Sequence, residues 1–247
     1  MTLADFFAAH PKAALAFSGG ADSAYLLHEA KRRGCDVRPY YVKTAFQPAF
    51  ELEDAERLCA ELGVALTVLE LDILAVEPVR QNPADRCAHC KRAIFTAILA
   101  AARADGYETL LDGNNADDDP TDRPGMAAAK ALGVLSPLRL CGISKEELRQ
   151  KSREAGLFTW DKPAYACLAT RIPTDTPIDA EALHAVEQAE NILRAMGFRD
   201  LRVRLRGDHA LLQFAAGELA AAKEQWNEME ARLAPLLPPL KLDPKGR

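Results

Sequence analysis

The chain has 247 residues, 49% of them apolar, enough for one large domain or one domain with a small appendage. Its 31 basic residues face 36 acidic ones, a net charge of −5 that argues against generic nucleic-acid binding, which needs basic surface to displace counterions. No stretch approaches the ~18–20 uninterrupted apolar residues of a membrane span, and MTLADFFAAHPK lacks the charged lead and long apolar core of a signal peptide; a cytoplasmic protein with reduced cysteines is expected.

The first predicted element is a short apolar strand at residues 13–17, AALAF, ending at Ser18-Gly19-Gly20. The run SAYLLHEAKRRG places Tyr25, Leu26 and Ala30 on one helical face, and Gly34 closes it. VRPYYVKT reads as a strand, FELEDAERLCAELG as a helix closed by Gly63, and residues 64–71 as another strand. This alternation predicts an α/β fold: a parallel sheet flanked by helices on both faces. CKRAIFTAILAAARADG then gives an amphipathic helix and YETLLDG a strand, followed by a polar, breaker-rich loop at residues 114–124. MAAAKALG and SKEELRQKSREAG are helices, the second opening with a capping box of Ser144 and Glu147. FTWDKPAYACLATRIP is irregular. After Ile178 come a long helix (DAEALHAVEQAENILRAMGF), two strands around Arg206-Gly207-Asp208, a final helix (ELAAAKEQWNEMEARLAPLL) and a tail, PLKLDPKGR, expected to fray. The predicted domains are residues 1–177 and a smaller α+β region, residues 178–247.

The stretch FSGGADS, residues 17–23, follows a strand and opens a helix. Outward backbone N–H groups and the helix dipole make such a turn an anion site, and glycines let the backbone approach a phosphate. It is neither a Walker loop nor G-x-G-x-x-G. In the form SGGxDS it resembles the PP-loop signature of ATP pyrophosphatases, which cut ATP between the α and β phosphates and adenylate an acceptor. The resemblance implies that Ser18, Gly19, Gly20 and Ser23 hold the nucleotide phosphates and that Asp22 sits near magnesium and pyrophosphate. LLDGNNADD follows another strand and belongs at the same sheet edge. Taken alone it is a solvated acidic loop. Beside SGGADS it is similar to the GxN-x-DD element of PP-loop enzymes, with Gly113 and Asn114 near the nucleotide, Asp117 and Asp118 as Mg2+ ligands and Arg123 available to a phosphate. Adenine is expected after the second strand, against Val42, Lys43, Thr44 and Phe46.

Six cysteines in a reducing setting suggest metal, cluster or catalytic use. Cys87 and Cys90, in CAHC, place two thiols on one side of a helix start. Two thiols do not close a four-ligand zinc site; Cys167 is the candidate partner. Cys35 and Cys59 fit core positions, and Cys141 stays ambiguous. The segment WDKPAYACLATRIP, residues 160–173, closely resembles the LarE-type ATP-dependent sulfur transferases, the sulfur insertases of the nickel-pincer nucleotide pathway. SGGADS, NPADRCAHCK, DGNNADD, DRPG and VEQAENILRAMGFRDLRVRLRGD extend the likeness over essentially the whole chain.

That resemblance implies adenylation of a carboxylate on a pyridinium mononucleotide, using ATP and Mg2+, then attack by a thiolate. Two routes diverge in the family. In one, Cys167 gives up its own sulfur and becomes dehydroalanine. In the other, Cys87, Cys90 and Cys167 hold a [4Fe–4S] cluster with one open iron, which the C-x-x-C pair favours. The substrate phosphate is expected on Thr170, Arg171, Arg202 and Arg204; the last two alternate along a strand and so share a face. Glu190, on a helix, is assigned to a metal, against the alternative of a solvated face. The family forms closed homo-oligomers. The rival readings are a tRNA thiolase, an ammonia-dependent enzyme of the NAD- or GMP-synthetase type, and a nucleotide sensor that does not turn over ATP.

Overall fold

The computed structural model describes residues 1–118 and 124–246. The chain divides into two compact units, one of Met1–Val79 and Asp85–Ala164, the other of Arg80–Ala84 and Tyr165–Arg247. The Cys167 segment therefore belongs with the second unit, ahead of the boundary expected near residue 178.

The first unit opens with α1 (Leu3–Ala9) and β1 (Lys12–Ala16). It continues through α2 (Ala21–Arg32), β2 (Asp36–Lys43), α3 (Ala49–Leu62) and β3 (Thr67–Glu70). A short helix α4 (Glu77–Arg80) leads to the long α5 (Arg86–Ala104), β4 (Leu110–Leu111), α6 (Pro124–Ala131), α7 (Pro137–Leu140) and α8 (Lys145–Glu154). The strands form one parallel sheet in the order β3-β2-β1-β4. Gly63 ends α3 in the left-handed conformation, φ +63°, which a glycine adopts without steric penalty.

Alternation along β1 divides the core. Ala13, Leu15 and Phe17 pack with Leu26, Leu58 and Leu148 on one face. Ala14 packs with Tyr40, Ile98, Leu99 and Leu110 on the other. Both faces are covered, so the strands are near-continuous in apolar residues, as buried parallel strands are. Two strands are shorter than expected: β3 begins at Thr67, and β4 has two residues, after which Leu135 makes a parallel bridge to Leu111. The chain leaves β1 for β2 on one side and returns to β4 on the other, which makes the β1/β4 crevice a topological switch point.

The second unit contains α9 (Ala180–Ala195), β5 (Leu201–Arg206), β6 (His209–Phe214), α10 (Leu219–Glu224), α11 (Trp226–Leu233) and β7 (Leu240–Leu242). β5 and β6 are antiparallel, joined at Gly207 with φ +63°. β6 and β7 are parallel. Val203, Leu212, Phe214, Val186, Leu193, Met229 and Leu233 are fully buried there. Two expectations are corrected. The tail does not fray: Leu240–Leu242 pairs with β6 and adds a third strand. The final helix is two helices, broken at Gln225. Asn82, held at φ +58° and buried, donates its amide to the carbonyls of Pro173 (2.7 Å) and Thr176 (3.2 Å), tying Arg80–Ala84 into this unit. Among the described residues no helix is long and apolar enough to cross a membrane.

Candidate active site

At the carboxyl end of β1 the chain turns through Ser18, Gly19 and Gly20 into α2. Gly19 has φ +68°, and a Cβ there would meet the Glu51 carbonyl at 2.9 Å. The turn is tied by Ser23, whose Oγ donates to the Gly20 carbonyl and accepts from the Ser18 N–H, with the Ser18 Oγ 3.2 Å away. Gly20 caps α2 without a side-chain bond, which leaves the first-turn N–H groups without a side-chain cap, as an anion site at a helix start requires. Lys162 reaches the back of this loop, with Nζ 2.6 Å from Asp54 and 3.4 Å from the Gly19 carbonyl.

Gly113 packs against the first turn of α2, where an added Cβ would lie 2.9 Å from the Ser23 nitrogen. Only a residue without a side chain permits that approach. The crevice between these segments is a cavity of about 280 Å³, walled by Phe17, Ser18, Asp22, Ser23, Asp112, Gly113, Asn114 and Asp118, with Val42, Ile94 and Phe95 on its apolar side. Asp112 is buried, and burial raises its carboxyl pKa against bonds from the Ser136 side chain and the Asn114 N–H. The sequence-expected Ser18, Asp22, Ser23, Gly113 and Asn114 thus meet at one site, and Asp118 joins them.

The two acids of the DD pair part company. Asp118 lines the cavity and accepts from the Asn115 N–H at 3.0 Å. Asp117 is exposed, and its carboxylate accepts from the Lys145 N–H at the start of α8, 2.7 Å. Asp22 is held by the Asn115 amide (3.2 Å) and by the Lys145 ammonium (2.6 Å). Sequence reasoning missed Lys145; the only local signal was SKEEL, taken there as a helix cap. Lys43 and Thr44 line a separate hollow with Glu70 and Asp72. The Thr44 hydroxyl is bonded to Gln47, and Phe46 is fully buried. Of that expected adenine wall, Val42 alone faces the cavity. Arg123 lies outside the described residues. A larger hollow, about 550 Å³, runs along the far half of α2 and includes Cys141, but no PP-loop residue.

The cysteines separate by exposure. Cys35 and Cys59 are buried, and burial pushes their thiols up to about 11 and about 12. They are packing residues, as expected. Burial also raises the Cys141 thiol. Cys87 is exposed and Cys90 partly so, one turn apart at the start of α5. The buried Arg86 donates to the Cys87 sulfur at 3.6 Å, a neighbour that the sequence reading did not single out. Cys167, partly exposed, stands in the second unit at the start of a short 3-10 turn. Among the described residues no three His, Cys, Asp or Glu side chains are grouped to hold a metal ion.

In the second unit a buried network fixes the Cys167 segment. Arg171 and Glu190 are both fully buried and paired, Nε to Oε1 at 2.7 Å and Nη2 to Oε2 at 3.2 Å. Glu190 also accepts from the Tyr165 hydroxyl, from Arg194 and from the Val203 N–H at the sheet edge. Burial opposes ionisation of Glu190, but these donors win and its pKa is lowered. Arg171 donates further to the Ala166 carbonyl and the Thr170 hydroxyl, and Thr170 to the Cys167 carbonyl at 2.9 Å. Arg171 and Glu190, expected on a phosphate and a metal, are thus engaged with each other. Arg204 donates to the Thr170 carbonyl (3.0 Å) and to Gln213 (2.6 Å); Arg202 stands two residues earlier on the same face of β5.

No protein-family model matches the chain. An uncharacterized protein of Synechocystis is 38% identical over 207 residues, 82% of this chain and 76% of that protein. The pyridinium-3,5-bisthiocarboxylic acid mononucleotide synthase of Lactiplantibacillus plantarum is 30% identical over 201 residues, 81% of this chain and 73% of that enzyme. A tRNA-specific 2-thiouridylase of Acidithiobacillus ferrooxidans is 27% identical over 179 residues, 60% of this chain and 51% of that enzyme.

Proposed function

From the premise that the chain belongs to the LarE-type ATP-dependent sulfur transferases of the PP-loop superfamily, we propose that it adenylates a carboxylate of a pyridinium mononucleotide and replaces the activated oxygen with sulfur. The observation that carries this reading is the cavity at the switch point, where SGGADS and DGNN meet. A carboxylate oxygen attacks the α-phosphorus, the bond to the β-phosphate breaks, and pyrophosphate leaves with the electron pair. A thiolate then attacks the acyl carbon and AMP departs. The phosphate of the mononucleotide falls to Arg202, Arg204 and Thr170, which adjoin the Cys167 segment in the second unit. Asp22 and Asp118, which both line the cavity, would hold magnesium in this reading, a hard cation that takes oxygen ligands and neutralises phosphate charge. Glu190 has no such role in this reading, because its oxygens are already engaged.

Cys167 supplies the sulfur or helps to hold it. The cluster route rests on donor chemistry: Cys87, Cys90 and Cys167 are all at least partly exposed and three thiolates would leave one iron open, although no three such side chains are grouped among the described residues. When bound, such a cluster supplies a sulfide that is replaced between turnovers. Without it, Cys167 is the donor: its Cα proton goes to a base, the Cβ–S bond breaks, and thiocarboxylate leaves dehydroalanine behind. Iron and acid-labile sulfide on anaerobically prepared protein separate the two. About four of each per chain, lost in Cys167→Ala, supports the cluster. No iron, with dehydroalanine at position 167 by mass spectrometry after one turnover, makes the cysteine sacrificial. Neither iron nor dehydroalanine, with activity intact in Cys167→Ala, overturns sulfur transfer from this residue. The kinship to a 2-thiouridylase favours tRNA thiolation as a second reading; a salt-sensitive tRNA shift would establish it, and the net charge of −5 speaks against it.

A further inference from the structure

Lys145 is placed against helix electrostatics. It is the first residue of α8, where the macrodipole favours an anion and disfavours an ammonium. Its backbone N–H is already bonded to Asp117, so the side chain is not needed to start the helix. That side chain instead reaches 123 positions back along the sequence to Asp22, 2.6 Å away, with the lysine side chain 33% exposed and the aspartate 29%. A pair so open to water contributes little stability. Asp22, however, lies in the first turn of α2 and lines the phosphate-facing cavity. Its carboxylate is held there by the Asn115 amide and by Lys145, its counter-charge.

We propose that Lys145 is a ligand of the β and γ phosphates of ATP, and so of the departing pyrophosphate, held on Asp22 until the nucleotide arrives. This rests on the nucleotide reading given above and extends it. A polyphosphate carries more charge than one carboxylate, so it draws the ammonium across on its flexible stem. Asp22 is then released toward a divalent cation, a group that a carboxylate meets better than it meets phosphate. The exchange keeps both charges compensated before and after binding. It sets Lys145 where negative charge accumulates as the bond between the α and β phosphates breaks.

The test is calorimetric titration with inorganic pyrophosphate and, separately, with AMP, in buffer containing magnesium. The proteins are wild type, Lys145→Met, Asp22→Asn and the double variant. Lys145→Met is expected to weaken pyrophosphate about tenfold or more, the loss of a charge-assisted bond, while AMP affinity stays within about twofold because AMP lacks the contacted phosphates. The same loss is expected when Lys145→Met is added to Asp22→Asn. A loss that disappears in the Asp22→Asn background makes Lys145 a mere partner of Asp22 and overturns the proposal, as does unchanged pyrophosphate binding or equal weakening of both ligands. Retained AMP binding reports an intact fold; where the methionine variant melts early, Lys145→Gln takes its place under the same contrasts. Wild-type protein that binds neither ligand overturns the nucleotide reading itself, and the lysine assignment with it.

Discussion

Glu190 shows how much one side chain holds. Its carboxylate gathers Arg171, Tyr165, Arg194 and the Val203 N–H at full burial. Glu190→Gln leaves the Arg171 guanidinium buried without its counter-charge, and removing one partner of such a pair costs about 3–5 kcal/mol. Chemical denaturation of the variant at neutral pH should show a loss of that order. The pH dependence has a definite sign. Glu190 has a lowered folded-state pKa, so its contribution is complete above the ordinary glutamate value of 4.5 and is lost as pH falls through the folded value. Wild type and variant should therefore converge in stability as the solution is acidified below that value. Gly113 makes a second prediction. Gly113→Ala drives a methyl toward the Ser23 nitrogen, 2.9 Å away, and overpacking of this kind costs about 1–3 kcal/mol. Both the melting temperature and the affinity for a non-hydrolysable ATP analogue should fall. Gly217→Ala, where an added methyl meets nothing within 4 Å, should alter neither. These residues also mark what the sequence could tell. Gly19, Asp22, Ser23 and Gly113 were legible because their geometry is local and glycine-bound. Lys145 was not, since its partner is 123 positions away. Arg171 and Glu190 are 19 apart, and nothing in a helix pattern says that a glutamate on it is buried.

At the scale of elements, α8 carries the most consequence for its length. Ser144 caps it by accepting from the Glu147 N–H at 3.2 Å, so the expected capping signal appears here as its serine half. Ser144→Ala should destabilise the protein by about 1 kcal/mol, seen as a lower melting temperature. It should also raise the KM for ATP, because the same first turn positions Lys145 beside Asp22. The long amphipathic helices were legible from periodicity. The break at Gln225 was not, since no glycine or proline marks it; a buried residue lies on either side, Ala222 before it and Met229 after it. The strand β7 escaped for a different reason. It has three residues beside two prolines, and its pairing with β6 is made by tertiary contact rather than by local propensity.

At the scale of the molecule, the second unit is assembled from two pieces of chain. Besides the Asn82 amide, the Arg80 carbonyl accepts from the Ile178 N–H at 2.7 Å and the Asn82 carbonyl from the Asp175 N–H at 2.9 Å. A fragment of residues 165–247 lacks all of these partners. Each buried group left unpaired costs about 1–3 kcal/mol, so the fragment should melt broadly or not fold, as seen by circular dichroism. Adding a peptide of residues 77–86 should restore a cooperative transition in part. The division also has a consequence in time. The ribosome delivers Asn82 well before Thr176, the carbonyl it binds 94 positions later. At about 5–20 residues per second the strap waits on the order of five to twenty seconds for the unit it belongs to. During that interval the first unit must close its sheet around β4, made later than the strap, without burying residues 80–84 in it. Vectorial synthesis thus imposes an order on this fold: the strap is the first part of the second unit to exist, and its partners at residues 173–178 emerge before the strands that complete that unit.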